Sequence, residues 1–408
     1  MEVVIQKFGG TSVKDRKTRQ HALNHVNQAV NEGFRVVVVV SAMGRMGEPY
    51  ATDTLLSLVQ YPNTHLQKRE IDMLMSCGEV ISSIVFVNEL NEAGIKSAAL
   101  SGAQAGILTT NDYTNARINK VNTTLLLDYF KEYDVLVVAG FQGADEKGNV
   151  TTLGRGGSDT SAVALGAALN AKYVDIFTDV NGIKTADPVI VKDAETLKVM
   201  TYNEIVHLAY QGTKVIHPRA VEIAMQEKIP IRVRSTYSND EGTLVTSKVD
   251  NSIDIKIHDR LVTGIAHVSG LTQIKVKADE NPIIVHDKVF KELAEAGISV
   301  DFFNIFTEGI TFTVPNSKLE ETKAIIYRLN YDLDFIQNCA KVSTVGAGIQ
   351  GVPGVVSKIV SALAKHNIQI LQSSDSHTTI WVLIKEEDLD VAVNSLHETF
   401  IKKVKKGV

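Results

Sequence analysis

Residues that build covalent frameworks or break elements are scarce in this 408-residue chain, which has 2 cysteines and 8 prolines. Cys77 and Cys339 stand far apart, in apolar surroundings and without metal-ligand spacing. That excludes a disulfide scaffold and a cysteine-built zinc site and leaves reduced thiols as the default. No apolar run reaches the length of a membrane span, and the start goes straight into a strand-like E-V-V-I-Q-K-F with no cationic region before a long apolar run. No signal peptide is expected, and the expectation is a soluble cytoplasmic protein without a membrane partner. A formal charge of -5 demands no nucleic-acid partner either. The only basic run, residues 402–406, reads as a solvated tail.

Familiar catalytic signatures are missing too. The first glycine turn lacks the G-x-G-x-x-G of a dinucleotide site, and the chain has no G-x-x-x-x-G-K-[ST], H-R-D, D-F-G or G-x-S-x-G. The common nucleotide-site and hydrolase designs are thereby set aside. The 11 histidines form no H-E-x-x-H or similar cluster, and His217 reads as a packing or hydrogen-bonding residue. Asp375, Ser376 and His377 share one short segment with no oxyanion site, so no triad is read there. What is present is concentrated in residues 151–161, T-T-L-G-R-G-G-S-D-T-S, a loop with three glycines, one arginine, one aspartate and five hydroxyls. It is expected to lead into a helix N-terminus, where unpaired N–H groups attract anions and Arg155 can grip a carboxylate or phosphate.

Strand and helix patterns alternate from the start to about residue 246, which implies one large α/β unit. A strand at 3–8, a glycine turn at 9–12, a helix over about 15–32 and the apolar run R-V-V-V-V-V-S open it. Cys77, Gly78 and Glu79 are expected to break an apolar helix, with Glu79 either a cap or a ligand for a cation. Residues 111–114 form a polar loop that could cover a cleft. Lys7, Gly9, Gly10, Ser41, Thr52, Glu79, Arg155, Asp159, Thr178, Asp179, Asp187 and Lys214 mostly follow strands, so a parallel sheet would gather them at one edge. Two lysines, an arginine and glycine turns suit a polyphosphate, while the carboxylates suit a substrate amine and hydrated Mg²⁺. From about residue 261 the texture changes, and segments repeat at an offset of 70 residues, as in K-V-F-K-E-L-A-E-A-G from Lys288 and K-I-V-S-A-L-A-K-H-N from Lys358. Each repeat reads strand, helix, strand, strand, helix, with a final strand borrowed from elsewhere, the split β-α-β pattern of an α+β ferredoxin-like module.

Five motifs in order, K-F-G-G-T-S at Lys7, V-V-V-V-S-A-M-G at Val37, L-M-S-C-G-E at Leu74, G-R-G-G-S-D-T at Gly154 and F-T-D-V-N-G-I-K-T-A-D-P at Phe177, together resemble aspartate kinases of the amino-acid kinase superfamily. The repeat resembles their tandem ACT domains, and the likeness is greatest to short Gram-positive aspartokinases, including the diaminopimelate-sensitive kind. The resemblance implies a three-layer α/β kinase domain over 1–246 and ACT-like domains over 261–335 and 340–403. It implies transfer of phosphate from ATP, with Mg²⁺ held mainly by the nucleotide, to the β-carboxylate of L-aspartate, the first step toward lysine, diaminopimelate, threonine and methionine. Feedback by lysine, diaminopimelate or threonine and a homodimer joined through the ACT domains are implied as well.

By the same resemblance, Lys7 holds the transferred phosphoryl group, with Gly9, Gly10 and Ser12 nearby. Ser41, Thr52 and Ser158 border aspartate, Glu79 takes its ammonium and Arg155 its α-carboxylate. Asp159 orients these groups or acts through water on the metal, and Thr178, Asp179, Asp187 and Lys214 surround the nucleotide. The effector is expected around Asn281, Ile283 and Asp287, Asp301 and Asn304, and Gln372 and Asp375. A glycine-proline loop at Gly351 has no equivalent in the first repeat. Alternatives are a kinase of another acidic amino acid, of glutamate or acetylglutamate type, or an amino-acid sensor with a dead kinase domain.

Overall fold

Five consecutive valines in Arg35–Val40 are all fully buried, which requires cover on both faces of the strand. In the computed structural model, which describes residues 1–212, 215–247, 261–277, 281–306, 309–346, 349 and 351–402, this run is near the middle of an eight-stranded sheet. The first half of the N-terminal unit runs β1 (Val3–Phe8), α1 (Gly10–Val13), α2 (Arg16–Asn31), β2 (Arg35–Val40), α3 (Thr52–Ser57), α4 (Lys68–Glu92) and β3 (Ser97–Leu100). A small four-stranded sheet follows, from β4 (Ile107–Thr109), β5 (Ile118–Val121), β7 (Gln142–Ala144) and β8 (Val150–Thr152), with α5 (Thr124–Tyr129) and β6 (Val135–Ala139) set between them in sequence. Then come α6 (Gly157–Ala168), β9 (Val174–Thr178), β10 (Val199–Thr201), α7 (Tyr202–Tyr210), α8 (Pro218–Glu227), β11 (Ile231–Ser235) and β12 (Thr243–Thr246).

The large sheet has the order β10-β12-β11-β9-β1-β2-β6-β3. Six neighbouring strands run parallel, and β12 is antiparallel to β11. Strand order reverses at β1, with β2 on one side and β9 on the other, which makes its carboxyl end the switch point where open α/β sheets bind ligands. Alternate side chains, including Val4, Phe8, Val36, Val38 and Val40, meet α2 and α4 in one core, while α6 packs on β1 and β2. Helix, sheet, helix is the three-layer arrangement that the resemblance implied. One local reading differs: α4 runs unbroken through Gly78. A Cβ at Gly78 would stand 2.7 Å from Ala42 Cβ and 2.8 Å from Tyr50 O, so the glycine permits a close approach and does not end the helix.

The C-terminal unit gathers residues 258–408 together with Lys184–Glu195 and Gln211–Thr213. Its elements are β13 (Gly264–Lys277), α9 (Pro282–Glu295), β14 (Asp301–Phe306), β15 (Gly309–Pro315), α10 (Leu319–Arg328), β16 (Asp332–Val345), α11 (Val355–Ala364), β17 (Gln372–Asp375), β18 (Thr379–Lys385) and α12 (Leu389–Phe400). They form one six-stranded sheet, β14-β15-β13-β16-β18-β17. The two repeats share it side by side, and the borrowed strand is visible: Gly264–Val268, ahead of the first repeat, pairs with Lys341–Val345 and completes the second. The pairing is irregular between Val268 and Gln273, where the strand passes from one module to the other. Each module has its own core under its helices. Residues 184–195, inside the sequence-based kinase span of 1–246, pack here: Ala186 and Val191 join the second module's core, and Thr185 O accepts from Ile265 N at 2.8 Å. No described helix is long and apolar enough to cross a membrane.

Candidate active site

The paired strands end together. Lys7 lies beside Val39 of β2 and Ile176 of β9, so Gly9, Ser41 and Thr178 emerge at one edge of the sheet. Lys7 Nζ is 2.7 Å from Asp159 Oδ1 in the first turn of α6, and both side chains are nearly buried. Ser41 Oγ donates to Ser158 Oγ at 3.0 Å. The strand edge and the N-terminus of α6 thus meet through a lysine–carboxylate pair and a hydroxyl pair. Ser12 is buried, its hydroxyl 2.7 Å from that of Thr236, and Thr178 Oγ1 donates to Asp179 Oδ1 at 3.2 Å. Thr52 opens α3.

Glu79 is the most perturbed acid. It faces inward from α4, accepts from Ala42 N through Oε1 at 3.1 Å and leaves Oε2 buried with no hydrogen-bond partner. Burial pushes its carboxyl up from 4.5 to about 8, because desolvation penalises the anion and nearby N–H groups only partly offset it. A buried carboxyl with one unused oxygen suits a cation that arrives with a ligand.

The 151–161 loop is held by residues that carry no motif. Asp72 of α4 accepts from Thr152 N and Thr152 Oγ1, both at 2.7 Å, and from Thr114 N at 2.9 Å. Burial raises the pKa of Asp72, and these bonds pull the other way. Arg219 donates to Leu153 O and Ala116 O, each at 2.9 Å. His217 caps α8, and its own N–H donates to Asp159 Oδ2 at 3.3 Å; burial lowers its pKa. Gly156, the N-cap residue just before α6, stands at φ 70°, where a Cβ would lie 2.1 Å from His217 Cγ. Arg155, between the glycines, is exposed and makes no ion pair among the described residues. A polar residue inside an apolar helix, I-D-M-L-M, was the only sequence signal for Asp72.

The other expected positions are dispersed. Lys214 lies outside the described residues. Asp187 is counted with the C-terminal unit, where its carboxylate accepts from Val189 N at 2.8 Å. Asn111 and Tyr113 line a cavity of about 620 Å³ with Arg69, Asp145 and Asn149. In the C-terminal unit Asn281 caps α9, Ile283 and Asp287 are exposed, and Asp301 pairs with Lys341. Gln372 Nε2 donates to Phe302 O and Asn304 Oδ1, and its Oε1 accepts from Gln273 Nε2 at 3.0 Å. Asp375, three residues along β17, instead lines a cavity of about 310 Å³ with Gly351, Pro353 and Val356. Gln273 and Lys341 were not among the sequence candidates.

The Amino acid kinase family model matches residues 2–235, and an ACT domain model matches residues 334–398. The chain is 59% identical to Aspartokinase 1 of Bacillus subtilis over 98% of its own length and 99% of that protein's. The solved structure of E. coli aspartokinase III in complex with aspartate and ADP is similar at a TM-score of 0.76 and 26% identity, over 98% of this chain and 99% of that one. The same enzyme in complex with lysine and aspartate gives a TM-score of 0.78 at 26% identity, over 98% and 100%.

Proposed function

Because the chain belongs to the amino acid kinase family, among its aspartokinases, we propose that the carboxyl edge of β1 and β2, with α4 and α6, is where it phosphorylates aspartate. It is an ATP-dependent aspartate kinase with ACT regulatory modules. The observation that carries the placement of the amino acid is Glu79, buried, with an oxygen free to receive an ammonium. The same feature disfavours acetylglutamate, whose acylated nitrogen bears no positive charge. Arg155, unpaired among the described residues, is assigned the α-carboxylate, with Ser41, Ser158 and Thr52 beside it.

The β-carboxylate of aspartate is already an anion at pH 7, so no general base is needed to create the nucleophile. Rate enhancement then rests on in-line positioning and on neutralising phosphoryl charge. Lys7 meets the transferred group, held at rest by Asp159, with Gly9, Gly10 and Ser12 beside it. Thr178, Asp179, Asp187 and Lys214 are assigned to the nucleotide. The nucleotide phosphates would hold most of the Mg²⁺, with Asp159 able to offer a hard oxygen. Bound there, the ion would neutralise phosphate charge. The division of labour we propose is a kinase unit over 1–246, less the 184–195 segment that packs with the modules, and ACT-like modules 261–335 and 340–403, with lysine, diaminopimelate or threonine as effector and a homodimer through the modules.

The test is aspartate-dependent ADP release. Lys7→Ala should lose turnover by about a hundredfold or more with little change in thermal stability. Near-normal turnover would remove Lys7 from the chemistry.

A further inference from the structure

Thr236 commits each of its three polar groups to a different element. It follows β11, whose last residue, Ser235, lies beside Thr178 at the end of β9. Its N–H donates to Thr178 O at 2.8 Å, its carbonyl accepts from the Nε2 of His25 on α2 at 3.1 Å, and its hydroxyl is 2.7 Å from Ser12 Oγ on α1. Thr236 and Ser12 are each 1% exposed. The Ser12 hydroxyl is therefore committed to Thr236 and not presented to solvent. On another side Gly44 N donates to Gly10 O at 3.0 Å, and a Cβ at Gly10 would stand 2.6 Å from Ala42 O. The glycine turn after β1 is thus held at Gly10 by the segment after β2 and at Ser12 by Thr236.

We infer that Thr236 is a positioning residue for phosphoryl transfer, fixing the turn at 9–12 against the end of β9 so that Gly9 and Gly10 meet the phosphates at a set spacing from Thr178. This role rests on the reading above, in which both loops border the nucleotide. Within it, Ser12 anchors the turn and its hydroxyl is not a phosphate ligand. A turn ordered before its ligand arrives loses less freedom on binding and presents its N–H groups already aimed. Deleting the Thr236 hydroxyl leaves Ser12 Oγ buried without its partner, and the turn relaxes to satisfy it. Glu79 and Arg155, assigned to aspartate, stand on α4 and on the loop before α6. The loss should therefore fall on ATP and spare aspartate.

The test is steady-state kinetics of the full-length chain. Thr236→Val keeps the shape of the side chain and deletes the hydroxyl, Thr236→Ser keeps the hydroxyl, and Ser12→Ala removes its partner. Thr236→Val and Ser12→Ala should each raise the ATP KM about fivefold, the scale of one buried hydrogen bond. The double variant should do no more than either, because both delete the same bond. Thr236→Ser should stay near the parent, and the aspartate KM should hold throughout. A Thr236→Val protein with the parent's ATP KM overturns the proposal, as does one whose aspartate KM rises equally, since the bond would then serve general stability. Additive losses in the double variant also overturn it, because the Ser12 hydroxyl would then act on the nucleotide by itself. Should Thr236→Val not fold, Ser12→Ala decides alone, and an unchanged ATP KM refutes the role. Lys7→Ala reports on the site separately: turnover lost there while Thr236→Val binds ATP normally leaves the site in place and removes Thr236 alone.

Discussion

Glu79 joins residue chemistry to a measurable pH dependence. Its folded pKa, about 8, lies above the unfolded value near 4.5, so the folded state binds the extra proton. The stabilisation is complete below pH 4.5 and is lost as pH rises through about 8. Glu79→Gln should therefore match the parent near pH 4.5 and exceed it in stability at pH 9, by on the order of a few kcal/mol. Thermal melts of the ligand-free protein across that range check this, and parallel curves would refute it. Aspartate works in the opposite direction. Its ammonium favours the anion of Glu79, so binding near pH 7 should release a proton, visible as a calorimetric heat that depends on the buffer's ionisation enthalpy. Lys7 shows the limit of reading residues one at a time: its place before two glycines was evident from sequence, but its pairing with Asp159, 152 positions away, was not.

At the scale of elements, the loop before α6 depends on two outside supports, Asp72 from α4 and Arg219 from α8. Gly156 is the point where this loop has no slack. Gly156→Ala would force a side chain into a left-handed backbone and against the His217 ring, a cost of about 2 kcal/mol or more. We expect a lower first thermal transition and a raised aspartate KM, because Arg155 moves with the loop; an unchanged KM would detach Arg155 from the substrate. The glycine and arginine pattern was legible because turn chemistry is local. The supports were not, since their bonds join residues 42 to 103 positions apart. For the same reason α4 was expected to break at Gly78, where the structure uses the glycine to admit Ala42 and Tyr50.

At the scale of the whole molecule, the C-terminal repeats share one sheet, and Gln372 bonds across the modules to Phe302, Asn304 and Gln273. Loss of that amide leaves buried polar groups without partners. Gln372→Ala should weaken feedback by the effective amino acid about tenfold while preserving the uninhibited rate. Dose–response curves with lysine, diaminopimelate and threonine, singly and in pairs, measure it, and an unshifted curve for the active effector would exclude Gln372 from the response. The 70-residue repeat made the two modules legible. It did not reveal that residues 184–195 fold with them, because Thr185, Ala186 and Val191 look in sequence like any other continuation of the kinase domain.

The sequence by itself determined the family, the alternation of strands and helices and the duplicated module, and it named most of the residues to which chemistry is assigned. These follow from local periodicity, turn preference and motif spacing, which are properties of neighbours along the chain. Tertiary structure alone decided the Lys7–Asp159 pair, the raised pKa and unpartnered oxygen of Glu79, the Asp72 and Arg219 supports, and the bond between Gln372 and Gln273. Each arises when residues distant in sequence meet away from water, where desolvation and hydrogen bonding depend on which atoms come together.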